Sequence, residues 1–234
     1  MIIIFLVKNN LTKENPIMNN QFKTVMFTGD SITDCDRARP IGDGFGKMGS
    51  SYVSRIFVDT WADFPTHNIR YLNSAISGNT TKMLLDRFDD DVLAYKPDYV
   101  FMMIGVNDAW RHFDGSKFSQ ILIYPKESGA NMEKMILKTM ESGAVPVIVS
   151  PYFLDNNRED PMRKMVDEIN AEYKMLAEKY NIGYIDVQAV FDEYLKTGSG
   201  YILSGDRVHP KAVGISIIAR TIYNHPDFRV ILHD

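Results

Sequence analysis

Short apolar runs punctuate the chain: TVMFTG (24–29), IRYLNSAISG (69–78), DYVFMMIG (98–105), AVPVIVSP (144–151) and IGYIDV (182–187). Turn-forming residues bound each of them, and nearly continuous runs of this length are what parallel strands covered on both faces require. Between the runs the apolar spacing becomes helical. PMRKMVDEINAEYKMLAEKY (161–180) follows an aspartate, opens on proline and sets Met165, Ile169, Leu176 and Tyr180 on one broad face, which reads as core packing. Residues 50–64, 81–95, 124–142 and 211–223 read as further helices. Parallel strands need right-handed crossovers that lay helices on both faces of the sheet. The alternation therefore predicts an α/β fold: a doubly wound, three-layer α/β/α sandwich of the flavodoxin-like kind, around a central parallel sheet of about five strands.

The 234 residues suffice for one α/β domain, and no repeat, low-complexity tract or long linker divides them. Twenty-six basic against thirty acidic residues give a formal charge of -4 without a Lys/Arg block, which argues against nucleic acid as a partner. Cys35 is the single cysteine, so neither an internal disulfide nor a cysteine-based zinc site can form, and a reducing, cytoplasmic location fits. The opening MIIIFLV falls well short of the roughly 20 apolar residues of a membrane span. No basic residue precedes it and no small-residue cleavage site follows. Residues 1–21 read as an extension outside a folded unit at 22–234, with an added strand or an atypical signal peptide as alternatives.

Open α/β sheets bind ligands beyond the C-terminal ends of their strands. Beyond the first run comes Gly29-Asp30-Ser31, beyond the second SGNT with Gly78, and beyond the third GVND with Asn107. Near the C-terminus stands GDRVHP, with Asp206 and His209. A serine hydroxyl becomes a nucleophile when an imidazole takes its proton, and a carboxylate holds that imidazole in the productive tautomer. Ser31, His209 and Asp206 supply the three groups; Asp206 and His209 share one short turn that Pro210 restricts. An oxyanion needs donors already aimed at it, and the backbone N–H groups of Ser31 and Gly78 with the Asn107 amide can form that pocket. Gly29 allows a sharp exit from the strand, and Asp30 reads as ordering that turn.

These blocks, in this order, resemble those of the SGNH hydrolases, or GDSL esterases, from about residue 27 to about residue 219. Ile32 stands where the motif name has leucine, a conservative apolar exchange. DSITDCDRARPIGDGFGKMGSSYV, ISGNTTKMLLDRFDDDVLAYKPDYV, MIGVNDAWR and DPMRKMVDE are similar to the branch containing cytoplasmic acetylxylan esterases. Gly205 departs from that branch, which has an aromatic residue before the catalytic aspartate. The resemblance implies deacetylation of a small acyl ester, such as an acetylated xylo-oligosaccharide, through an acetyl-serine without metal or cofactor, away from membranes, and it allows a homo-oligomer. A lysophospholipase or thioesterase on the same scaffold and a silent carbohydrate-binding protein remain alternatives.

Other residues carry plainer readings. His67, His112, His225 and His233 read as structural or solvated, with His112 of interest because it follows the Asn107 block. Asp30, Asp34, Asp36 and Asp43 read as a hydrated acidic loop, and Cys35 as a small packed side chain. Trp110, Arg111, Tyr152 and Phe153 follow strand ends and are candidates to line an acyl or sugar pocket.

Overall fold

The computed structural model describes residues 22–115 and 121–233. The N-terminal extension read at 1–21 therefore lies outside the described residues. Strand β1 (Lys23–Gly29) sits in the middle of the sheet, with β3 (Ile69–Asn73) on one side and β4 (Tyr99–Met103) on the other, both parallel to it. Beyond β4 follow β5 (Val145–Val149) and β6 (Gly183–Ile185), again parallel. A two-residue strand, β2 (Gly42–Asp43), adds an antiparallel edge beside β3, so the sheet has six strands in the order β2-β3-β1-β4-β5-β6. The five parallel strands match the five runs. The sixth escapes a reading based on apolar runs because Gly42-Asp43 is not one.

Helices cover both faces, giving the expected three layers. One-turn α1 (Ser31–Asp34) follows β1, and α2 (Tyr52–Asp63) opens on Ser51, whose hydroxyl accepts from the Val53 N–H. The helix expected over 81–95 is three pieces: α3 (Thr81–Asp86), α4 (Phe88–Asp91) and a 3-10 turn at Leu93–Tyr95. Arg87 marks the first break, where its guanidinium donates to Ser74 O, Asn79 Oδ1 and Asp91 Oδ2. After α5 (Val106–Trp110) come α6 (Pro125–Glu141) and α7 (Pro161–Tyr180), then α8 (Val187–Leu195), α9 (Gly200–Leu203), α10 (Ala212–Tyr223) and α11 (Pro226–His233).

Helix α7 has its expected limits, but its buried face is Met162, Val166, Ile169, Tyr173 and Ala177, with Met165, Leu176 and Tyr180 at the margin. The stripe is turned because fully buried Arg163 shares it, paired with Asp167 and Asp192 at 2.9 and 2.7 Å. At the centre of the core Phe27 stacks on Phe101 at 5.1 Å and meets Tyr52 edge-on at 6.0 Å. Each such buried side chain contributes roughly 1.5–3 kcal/mol. No helix among the described residues is long and apolar enough to cross a membrane.

Register decides where the strands deliver their loops. Phe27 lies opposite both Asn73 and Phe101, and Gly29 opposite Met103. The chain thus leaves β1, β3 and β4 at one edge, at the point where β1 is flanked by strands reached in opposite directions.

Candidate active site

The site begins at Gly29. A Cβ there would lie 2.0 Å from the Met103 carbonyl oxygen, so only glycine lets β1 end this close to β4. Asp30 then caps α1, its Oδ1 accepting from the Ile32 N–H at 3.0 Å, and Ser31 becomes the first residue of the helix. The Asp30 carboxyl is buried and its Oδ2 has no partner among the described residues. Burial pushes it up to about 7, against the pull of the Ile32 N–H and with a further push from Asp108.

The second and third loops are tied to the first. Asp34, at the end of α1, accepts at Oδ2 from both the N–H and the hydroxyl of Ser77, each at 2.8 Å, and takes a bidentate pair from Arg39 at 2.9 and 2.7 Å. Burial pushes this carboxyl up, but the hydrogen bonds from Arg39 and Ser77 outweigh it and hold it below its ordinary value. Ser77 fixes Gly78, whose φ of +81° suits glycine. Asn107, buried at the start of α5, donates from Nδ2 to the Asn79 carbonyl at 3.0 Å, leaving one amide hydrogen for a ligand. Asp108 accepts from the Thr81 N–H at 2.9 Å and hydroxyl at 2.6 Å, binding the Asn107 turn to α3; burial pushes it up to about 6. The N–H groups of Ser31 and Gly78 donate to nothing among the described residues.

The fourth loop closes the constellation. Ser204 and Pro210 pair across its base, and Arg207 takes left-handed backbone with φ +70°. Asp206 organises the turn: its Oδ1 accepts from the Ser204 hydroxyl at 2.9 Å, the Val208 N–H at 3.0 Å and the His209 N–H at 2.8 Å. Its Oδ2 faces His209 Nδ1 at 2.6 Å, and His209 Nε2 stands 2.9 Å from Ser31 Oγ. Partial burial pushes the Asp206 carboxyl up, but His209 and these donors outweigh it and hold it far below the usual carboxylate range. A charged aspartate, an imidazole and a serine hydroxyl thus form one unbroken chain of hydrogen bonds, the arrangement that general-base activation of serine requires.

Ser31, Gly78, Asn107, Asp206 and His209, read from four separate loops, therefore converge. Trp110 joins them, its ring centre 5.4 Å from that of His209. Arg111 reaches the same place: its Nη2 lies 3.5 Å from where a Gly78 Cβ would be, while its Nη1 pairs with Asp114 at 2.5 Å.

Tyr152 does not line the pocket. It is 0 % exposed and its hydroxyl donates to the Val208 carbonyl at 2.8 Å, so it props the His209 loop from beneath. Phe153 is also nearly buried, with the Arg207 guanidinium 4.7 Å over its ring. His112 turns away to the Ile123 carbonyl at 3.0 Å. The acidic loop is not simply hydrated, since Asp30 and Asp34 are buried and serve as cap and tie. Among the described residues no cluster of His, Cys, Asp or Glu is placed to hold a metal ion. Cys35 lies near the nucleophile, but burial and the carboxylates of Asp34, Asp36 and Asp30 push its thiol up to about 11, the opposite of an activated cysteine.

Comparison with known proteins follows the same lines. The family model described as "GDSL-like Lipase/Acylhydrolase family" matches residues 27–215. An acetylxylan esterase of Geobacillus stearothermophilus is 40 % identical over 205 residues, covering 87 % of this chain and 94 % of that protein. The crystal structure of that enzyme, Axe2, superposes with a TM-score of 0.83 at 39 % identity, covering 87 % of this chain and 94 % of that one. LAE5, an alpha/beta hydrolase enzyme from the metagenome of Lake Arreo, gives a TM-score of 0.82 at 35 % identity, over 86 % and 93 % of the two chains. Catalytic mutants of Axe2 carry alanine for a serine, an aspartate or a histidine, the latter two three residues apart. Another Axe2 mutant replaces a tryptophan one residue before that aspartate.

Proposed function

The chain belongs to the GDSL-like lipase/acylhydrolase family and is a carboxylic ester hydrolase, and on that footing we propose that it removes acetyl groups from small acetylated carbohydrates such as xylo-oligosaccharides through an acyl-serine at Ser31. The observation that carries this reading is the relay from Asp206 Oδ2 to His209 at 2.6 Å and from His209 Nε2 to Ser31 Oγ at 2.9 Å, beside two N–H groups that are uncommitted among the described residues.

Ser31 Oγ attacks the acetyl carbonyl as its proton passes to His209 Nε2, and Asp206 stabilises the imidazolium that forms. The carbonyl oxygen becomes an oxyanion that accepts from the Ser31 N–H, the Gly78 N–H and the remaining Asn107 amide hydrogen. Each such donor is worth roughly 2.7–4 kcal/mol in the transition state. Collapse expels the sugar alkoxide, which takes its proton from His209. Water then attacks the acetyl-serine with His209 as base, releasing acetate and restoring Ser31.

The acetylxylan activity of the 40 % identical relative supports the carbohydrate part. Hydrolysis of p-nitrophenyl acetate, butyrate and octanoate tests the acyl part, with kcat/KM expected to fall as the chain lengthens. Preference for octanoate would refute it in favour of a lysophospholipase or thioesterase.

A further inference from the structure

We propose that Gly205 is a specificity-determining position, where the missing side chain opens a subsite for a second pyranose unit of the leaving group; this rests on the carbohydrate reading above. Glycine at 205 is not demanded by the backbone. Gly205 is absent from the residues with positive φ, and a Cβ there would meet only Lys211 Cε at 3.8 Å, an ordinary contact. A Cβ fits there without a clash, so glycine leaves open space beside Asp206.

Gly205 is among the residues lining a cavity of about 390 Å³ on the flank of the His209 loop, together with Asp155, Asn156, Tyr201, Ser204 and Arg207. Its composition suits a sugar. Tyr201 is 78 % exposed, and its ring is fixed by Lys211, whose Nζ donates to the Tyr201 carbonyl at 2.8 Å and lies 3.8 Å from the ring centre. An exposed aromatic ring offers apolar area to the C–H face of a pyranose at little entropic cost. Arg207 and Asp155, paired at 2.6 Å, and the amide of Asn156, which donates to the Leu195 carbonyl at 3.1 Å, present oriented polar groups to ring hydroxyls. His209 must protonate the leaving alkoxide, so the sugar lies against this loop. The Geobacillus enzyme has tryptophan directly before its catalytic aspartate, an indole that would fill the space Gly205 leaves.

Two readouts on the full chain test the subsite, comparing wild type with Gly205→Trp and Gly205→Ala. In the first, titration with unacetylated xylotetraose, Gly205→Trp is expected to weaken binding about tenfold, or ~1.4 kcal/mol, and Gly205→Ala to weaken it less. In the second, the ratio of kcat/KM for acetylated xylotetraose to that for acetylated xylose is expected to fall by a similar factor in Gly205→Trp, through KM rather than kcat. No binding of xylotetraose to wild type, or equal binding by wild type and Gly205→Trp, overturns the subsite. If no acetylated sugar turns over in any of the three proteins, the carbohydrate reading fails, and the titration still decides whether the cleft binds a sugar chain.

Discussion

Replacing Asp206 by asparagine changes one atom type and reverses the logic of the relay. The three donors on Asp206 Oδ1, from Ser204, Val208 and His209, keep their acceptor, so the turn should survive. At the other position an amide nitrogen now faces His209 Nδ1, where the carboxylate oxygen stood at 2.6 Å. An N–H there needs Nδ1 as an acceptor, which moves the imidazole proton to Nε2. His209 would then donate to Ser31 Oγ across the 2.9 Å contact rather than accept from it. The same change in the serine-protease triad costs about 10⁴ in kcat. The Asp206 side chain is 44 % exposed here, and water can replace part of its charge, so we expect a fall of about 10³, or ~4 kcal/mol in the activation barrier. The assay is steady-state hydrolysis of p-nitrophenyl acetate by wild type and Asp206→Asn, with urea unfolding of both. The expected pattern is a large loss in kcat, KM within a few-fold, and a cooperative unfolding transition at a lower midpoint, because the carboxylate that His209 and the turn's donors hold charged is lost. A variant that retains kcat within tenfold would show that Asp206 does not orient the base.

Asn107→Ala removes one oxyanion donor and should lower kcat by about 10² to 10³ with little effect on KM; an unchanged kcat would take Asn107 out of the site. Asp30 titrates near 7 when folded against 3.8 as a free side chain, so the native state binds the extra proton and stability falls as pH rises from about 4 to 7. The three-unit shift sets the cost above pH 7 at about 4 kcal/mol at most. Asp30→Asn should therefore gain stability relative to wild type at pH 8 compared with pH 4.5, and an identical difference in urea midpoints at the two values would refute a buried, protonated Asp30. Asp34→Ala strips the Ser77 N–H and hydroxyl of their acceptor and frees the Gly78 loop. It should cost about 2–3 kcal/mol in unfolding and lower kcat on p-nitrophenyl acetate; full activity would show that the Gly78 loop holds itself.

The five parallel strands and the five converging residues were legible because each functional group stands directly beyond an apolar run whose end is marked by glycine, or within one short turn. Asp206 and His209 needed no knowledge of the fold to be paired, since they are three residues apart. What stayed hidden depends on long-range contact. Asp34 meets Ser77 across 43 residues of sequence, and only the register of β1 with β3 brings their loops together. Tyr152 shows the limit of the strand-end rule, because a residue just past a strand can rise into the site or fold beneath it. Here the His209 loop crosses above it and supplies the Val208 carbonyl as a partner. The helix expected over 81–95 breaks at Arg87 because its guanidinium serves the loop after β3, a demand that local helical spacing does not reveal.

Release of acetate from acetylated xylo-oligosaccharides by wild type and by Ser31→Ala measures the central claim most directly. The account predicts steady release by wild type and none above background by Ser31→Ala, whose fold should be intact by near-ultraviolet circular dichroism. Equal release by the two proteins would remove Ser31 as the nucleophile, and no release by wild type, with p-nitrophenyl acetate still hydrolysed, would contradict the carbohydrate assignment.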